Sequence, residues 1–205
     1  MNELLSIIIA YMFGSIPTAV WASKTFSGMD IRKHGSGNAG LTNVYRVLGW
    51  KPAIPVVVVD LFKGVAAPYV AMELCPGNEW VPMFAGLVAI LGHSFTCMAG
   101  FRGGKGVLTA LGVFLCLAPY EAVLSFLVWL AVLFTTRYVS LASILACLTL
   151  GISVSVHFLM MNTLSNKLLL ILGWVVAAFV IIKHKSNISR LLKGTENRFG
   201  KKKEE

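Results

Sequence analysis

The chain is 205 residues long, with 57% hydrophobic residues, 13% charged residues and a formal net charge of +9. Its mean hydropathy is +0.76. A soluble domain of this size needs far more polar surface to enclose its core, which excludes the soluble globular classes. The positive balance does not point to nucleic acid either: the basic residues sit in short loops between apolar segments and in a brief tail, where membrane topology accounts for them.

Seven apolar segments follow in chain order, at about 4–22, 51–72, 80–99, 107–117, 120–136, 139–160 and 167–182. Most can cross a hydrocarbon core of about 30 Å, which takes about 20 helical residues. They are continuous apolar runs without the period-two alternation of barrel strands, so helices are expected. The first has no basic stretch ahead of it and no small-residue cleavage site behind it, and is expected to remain as a span rather than act as a signal peptide. The fourth is short and joins the fifth through Ala118, Pro119 and Tyr120. Pro119 either separates two helices or kinks one re-entrant helix, which would lower the count.

Threaded in order, sixteen of the eighteen Lys and Arg residues fall on one side, and Lys167 is the basic exception on the other, beside Glu3, Glu73, Glu79 and Glu121. The positive-inside rule then gives an all-α polytopic membrane protein of about seven transmembrane helices, N-terminus outside and C-terminus cytoplasmic. Residues 1–198 are expected to form a single transmembrane domain with cytoplasmic-side loops, and 199–205 a charged tail able to touch anionic lipid. Cys75, Cys97, Cys116 and Cys147 are scattered and form no CxxC pair, so they read as small apolar residues.

Three polar patches fall on the cytoplasmic side. The first runs from Gly35 to Arg46 and contains Gly35, Ser36, Gly37, Asn38, Gly40, Thr42 and Asn43. Closely spaced glycines let a backbone turn several N–H groups toward one anion. Ser36, Asn38, Thr42 and Asn43 add neutral hydrogen-bonding groups, and Arg46 adds a planar cationic fork suited to phosphate. A plain linker needs neither the two Asn nor the Arg. The Gly spacing is not that of a dinucleotide fingerprint.

The second patch is Gly92-His93 followed by Gly100 to Gly106, with Arg102, Gly103, Gly104, Lys105 and Gly106. It resembles half of a phosphate loop, but Gly106 stands where a Walker A motif needs Ser or Thr for magnesium. A helix starting at Val107 would present an anion-favouring N-terminus. His93 can equally hydrogen-bond a neighbouring helix.

The third patch, Lys183 to Glu196, follows the last segment. Ile188, Arg190, Leu191 and Leu192 read as an amphipathic interfacial helix with snorkelling cations. That reading does not explain His184 and Asn187, three residues apart at the membrane exit. Glu196 reads as the anchor of a loop. Ser140 and Ser143 start the sixth segment at the same boundary, where Ser is often only a cap. Asp60 and Lys63 can pair on one face of the second segment.

Absences narrow the chemistry. There is no HxxxxD, no GxSxG and no HExxH, and too few acids for a carboxylate-held magnesium. The chain reads as one that binds phosphate through cations and backbone, without metal or other cofactor.

The three patches resemble the three motifs of the bacterial acyl-phosphate:glycerol-3-phosphate acyltransferases, the PlsY type. They are GSGNxGxTNxxR at Gly35 to Arg46, GHxxPxxxxFKGGKGVAT at Gly92 to Thr109, and RHxxNIxRLxxGxE at Lys183 to Glu196. Departures are mild: Leu41 and Leu108 replace alanines, Thr96 stands where Pro is usual, Arg102 replaces Lys, and Lys183 replaces Arg. The resemblance covers nearly the whole chain. It implies transfer of a fatty acyl group from acyl phosphate to the sn-1 hydroxyl of glycerol 3-phosphate, giving lysophosphatidic acid and phosphate as the first step of phospholipid synthesis. It further implies a seven-helix fold in the bacterial cytoplasmic (inner) membrane, no acyl-CoA or acyl carrier protein at the site, and a functional link to a soluble enzyme that produces acyl phosphate.

Carried over by position, Ser36, Arg46 and Lys105 contact substrate phosphates, and Ser143, His184 and Asn187 occupy polar active-site positions. Two alternatives of other classes are a transporter of a phosphorylated solute and a lipid-binding scaffold. Against the first, no inverted repeat is visible and the polar groups lie at one face. The second leaves the Gly35–Arg46 patch unexplained.

Overall fold

The structure, a computed structural model, describes residues 1–200. The end of the expected tail, 201–205, lies outside the described residues. Ten α-helices and two short 3-10 turns make up the described chain, which contains no strand. Contacts divide it into two compact units that meet in sequence between Leu117 and Ala118.

The first unit holds α1 (Asn2–Gly14), α2 (Thr18–Ser27), α3 (Leu41–Leu48), α4 (Trp50–Leu74), α5 (Trp80–Ser94) and α6 (Val107–Leu117), with 3-10 turns at Ile31–Lys33 and Cys97–Ala99. The first apolar segment is not one helix. It breaks at Ser15–Pro17, where Pro17 has no N–H to continue the ladder. The interrupted backbone is met from α4 and from the segment after α5: Thr96 Oγ1 donates to the Ser15 carbonyl, and Lys63 Nζ donates to the Ile16 carbonyl at 2.9 Å. Non-helical backbone at membrane depth survives only when such partners satisfy it. The third segment likewise stops early, at Ser94, and turns through Cys97–Ala99.

The long α4 keeps Pro55 and Pro68 inside it and packs on α6 at two glycines. A Cβ on Gly64 would meet Gly112 Cα at 3.0 Å, so both backbones need the missing side chains to approach this closely. Asp60 and Lys63 do pair, at 2.8 Å.

The second unit is α7 (Pro119–Thr136), α8 (Val139–Met161), α9 (Leu164–Lys183) and α10 (Lys185–Leu192). Pro119 takes the first position of α7, where its missing N–H costs nothing, and so separates the two helices rather than kinking one. α7 packs on α8, and α8 on α9. Trp129 Nε1 donates to Ser143 Oγ at 3.3 Å, and Trp174 Nε1 to Ser155 Oγ at 3.0 Å. His157 and Glu121 pair at the far ends of α8 and α7. After α10 the chain returns to the α7–α8 turn: the Phe199 amide donates to the Arg137 carbonyl at 2.7 Å, and Arg198 Nε to the Tyr138 hydroxyl at 3.1 Å.

Among the described residues, six helical stretches are long and apolar enough to cross a membrane: Asn2–Ser27, Trp50–Leu74, Trp80–Ala99, Pro119–Thr136, Val139–Met161 and Leu164–Lys183. The chain is an all-α, multi-pass membrane protein. α6 has 11 residues, which at 1.5 Å per residue span roughly 17 Å.

Candidate active site

Within the first unit, the loop from Gly35 to Gly40 is organised by one side chain. Asn43 is buried in the first turn of α3. Its Nδ2 donates to the carbonyls of His34 (3.0 Å), Asn38 (3.1 Å) and Ile31 (3.2 Å), and its Oδ1 accepts the Ser36 amide at 2.9 Å. Gly35 and Gly37 adopt φ of +60° and +73°, which a side chain would strain. Ser36 stands exposed at the loop tip, Asn38 and Thr42 are half-buried, and Arg46 is exposed on α3.

The second loop folds back on the end of α5. The Gly103 amide donates to the Ser94 carbonyl at 3.1 Å and the Gly104 amide to the His93 carbonyl at 3.2 Å. A Cβ on Gly104 would strike His93 Nε2 and lie 2.7 Å from the Ala39 carbonyl oxygen. Gly104 is therefore the point where the first and second patches interlock. Lys105 follows it, half-buried, and Gly106 (φ +80°) leads into α6 at Val107, where the helix was expected to begin.

The amides of Ser36, Gly37, Gly40, Gly103 and Gly104 all bond within this framework. These bonds set the loop shape, and the side chains of Ser36, Arg46, Arg102 and Lys105 stand beside them as candidate anion groups.

A clamp that the sequence reading passed over ties the two loops on their outer side. Arg32 donates Nε and a terminal nitrogen to the Asp30 carboxylate, the latter at 2.7 Å, and its other terminal nitrogen to the Ala99 carbonyl at 2.6 Å. Hydrogen bonding from Arg32 holds the Asp30 carboxyl down at about 2, against an ordinary 3.8. An open depression beside it is lined by Asp30, Arg32, Lys33, Ala99, Gly100 and Arg102. Only a short Asp-x-Arg spacing could have signalled this clamp.

The second unit carries the third patch. His184 is buried between α9 and α10, and its Nδ1 lies 2.8 Å from the Val180 carbonyl. A carbonyl only accepts, so Nδ1 carries hydrogen and the neutral ring's acceptor nitrogen is Nε2. Glu196 gathers this region as the sequence reading expected. Its Oε1 accepts from Asn187 Nδ2 at 2.6 Å and Ser140 Oγ at 2.8 Å, and its Oε2 from Arg190 Nε at 2.6 Å. Arg190 is thus a loop tie rather than a snorkelling cation. Burial pushes the Glu196 carboxyl up, but the hydrogen bonds from Asn187, Ser140 and Arg190 outweigh it and hold it below its ordinary value. Ser143 is buried in α8, donating to the Val139 carbonyl at 2.8 Å and accepting from Trp129. Its role as a plain cap is excluded, because it bonds backward along the helix. Among the described residues no three His, Cys, Asp or Glu side chains form a metal-ligating group.

The interlock makes a direct prediction. Gly104→Ala adds a methyl group against backbone on one side and the His93 ring on the other. Overpacking of this kind costs about 1–3 kcal/mol. The expected result is a folded protein whose activity falls by about tenfold or more; unchanged activity would show that the two loops do not depend on this contact.

A family model described as glycerol-3-phosphate acyltransferase matches residues 4–194. Relatives carrying that name include one from Fusobacterium nucleatum subsp. nucleatum, 45% identical over 94% of this chain and 96% of its own length. Another, from Geobacter sulfurreducens, is 43% identical over 97% and 98%. Crystal structures of PlsY, an integral membrane glycerol 3-phosphate acyltransferase, in glycerol 3-phosphate and lysophosphatidic acid forms, superpose with a TM-score of 0.86 at 40% identity, covering 98% of this chain and 96% of theirs. A family match over nearly the whole length, at these identities and with the same fold, leaves one assignment: the chain belongs to the glycerol-3-phosphate acyltransferase family.

Proposed function

We propose that this protein transfers a fatty acyl group from acyl phosphate to the sn-1 hydroxyl of glycerol 3-phosphate at the cytoplasmic face of the bacterial inner membrane. The products are lysophosphatidic acid and phosphate. The observation that carries the reading is the interlock at Gly104, which brings the Ser36 loop and the Lys105 loop, each with its own cation, into direct contact. The glycerol 3-phosphate-bound form of the related PlsY structure supports the acceptor.

The mechanism follows from the donor's chemistry. An acyl phosphate is already activated, so the protein needs no nucleophile of its own and supplies positioning and charge neutralisation. Two anionic substrates repel each other unless cations stand with them, a role for Arg46 and Lys105. Ser36, Asn38 and Thr42 add hydrogen bonds, while Asn43 holds the loop. The acceptor hydroxyl loses its proton as its oxygen bonds to the acyl carbon, and the phosphate leaves with the electron pair of the broken bond. His184 Nε2 is the side-chain candidate for that proton, and the phosphate of the donor is the other. Ser143 and Asn187 complete the polar set of the second unit. The cationic and hydroxyl side chains of the two loops support a reaction that uses no metal.

Sidedness depends on α6. If α6 did not cross, Arg137 and the basic segment after α9 would both fall on the side opposite the first two patches, against the positive-inside rule. Seven crossings put all three patches in the cytoplasm. A fluorescent reporter that folds only in the cytoplasm is expected to light up when fused after residue 205. A reporter active only outside, working at that position, would reverse the assignment.

The test of function uses purified protein with palmitoyl phosphate and glycerol 3-phosphate in excess EDTA. Equal, EDTA-resistant formation of phosphate and lysophosphatidic acid is expected. Absence of turnover from well-folded protein would remove the reading, and phosphate flux in liposomes would then favour a transporter.

A further inference from the structure

The buried charges beneath the second loop have no part in the reaction as proposed. Asp60 and Lys63 are each 2% exposed. One carboxylate oxygen, Asp60 Oδ1, gathers Lys63 Nζ at 2.8 Å, Thr18 Oγ1 at 3.1 Å and His93 Nδ1 at 3.7 Å. Lys63 also holds the Ile16 carbonyl at the break between α1 and α2. The carboxylate is therefore fixed from α2 and α4 and faces the last turn of α5.

His93 carries this contact to the loop. Its Nδ1 side faces Asp60, and its Nε2 side occupies the space a Gly104 Cβ would need. The same residue's carbonyl accepts the Gly104 amide, and the neighbouring Ser94 carbonyl accepts that of Gly103. Lys105 is the next residue.

We propose that Asp60 is a positioning residue: it fixes the orientation and tautomer of His93, and His93 in turn fixes Gly103, Gly104 and the base of Lys105. The inference rests on the acyltransferase reading of this site. At 3.7 Å the contact is longer than a hydrogen bond, but the negative carboxylate still favours hydrogen on the facing Nδ1 and leaves Nε2 as the unprotonated nitrogen toward the loop. Stability alone does not account for the charges. Replacing a buried ion pair by apolar residues is often neutral or stabilising. An apolar pair could not orient an imidazole, whereas a carboxylate behind a histidine does so at many metal sites.

The two charges are best removed together, as Asp60→Asn with Lys63→Met, so that neither is left buried alone. Melting temperature and gel filtration report folding, and initial rates with palmitoyl phosphate at varied glycerol 3-phosphate report the site. A folded variant is expected with KM for glycerol 3-phosphate raised roughly tenfold or more and kcat changed much less, the size of effect seen when a supporting partner is lost. Nuclear magnetic resonance of isotope-labelled histidine in the wild type is expected to show His93 with hydrogen on Nδ1, and the double variant to show a mixture. A folded variant with wild-type KM and an unchanged His93 tautomer would overturn the proposal. Should the variant fail to fold, the wild-type spectrum decides: hydrogen on Nε2 would overturn it, hydrogen on Nδ1 would uphold it. Loss of turnover in the wild type would instead remove the acyltransferase reading and leave the tautomer result standing.

Discussion

Lys105→Ala is expected to lower turnover by on the order of 10²- to 10³-fold while leaving the protein folded. The argument has two parts. Lys105 is half-buried in a loop whose path is set by others: Gly103 and Gly104 bond to the end of α5, and Gly104 is wedged between His93 and Ala39. Truncating the Lys side chain therefore removes a cation without removing what shapes the loop. The proposed reaction also brings together two phosphate-bearing substrates, and charge neutralisation is the main thing a protein without a nucleophile would offer it. A scaffold that only recruits anionic lipid would lose part of its binding, since one surface cation is worth about 1 kcal/mol there. Paired measurement of phosphate release and lysophosphatidic acid, with melting temperature as the folding control, separates these outcomes. Retained turnover in Lys105→Ala would exclude Lys105 as a phosphate ligand. Lys105→Arg is expected to recover only part of the rate, because a planar fork replaces a compact point charge.

Much of the architecture was legible from hydropathy. α6 begins and ends where its apolar run does, and Pro119 opens α7 because a proline is tolerated at that position. The break in the first segment was missed, although Gly14-Ser15-Ile16-Pro17 carried the signal. A strongly apolar run hides an interruption when the freed carbonyls find partners elsewhere in the chain, here Lys63 and Thr96. Thr96 is also the position where proline was expected by resemblance. Its hydroxyl ties the base of the second loop to the α1–α2 break, a bond proline could not make.

The site was legible as composition but not as division of labour. Spacing picks out Asn43 as a polar residue in a glycine-rich patch, but its amide holds three carbonyls and the Ser36 amide only once the loop is folded around it. The same holds for Gly104, whose role depends on Ala39 and His93 arriving from distant parts of the chain. The i,i+3 pairing of Asp60 with Lys63 was readable because both lie on one helix. Their approach to His93 was not, because nothing local fixes which face of α5 turns toward α4.

Glu196→Ala is expected to destabilise the second unit by about 1–3 kcal/mol and to lower activity further than the stability loss explains. Three donors converge on this carboxylate from two elements: Ser140 on α8, and Asn187 and Arg190 on α10. Truncation leaves all three without that acceptor. Asn187 stands three residues after His184, so release of α10 disturbs both polar groups of the third patch together. Glu196→Gln separates charge from shape. Its carbonyl can still accept from Ser140 and Asn187, but its amide nitrogen faces Arg190 and cannot accept, so an intermediate loss is expected. The pH dependence has a definite sign. The Glu196 carboxyl is held below its ordinary value of 4.5, so the contribution is fully present above that pH and is lost as pH falls through the lower folded value. Melting temperatures measured from neutral pH down through this range should converge for wild type and Glu196→Gln as the carboxylate takes up its proton. A gap that stays constant down to the lowest pH would show that Glu196 does not act as an ionised anchor.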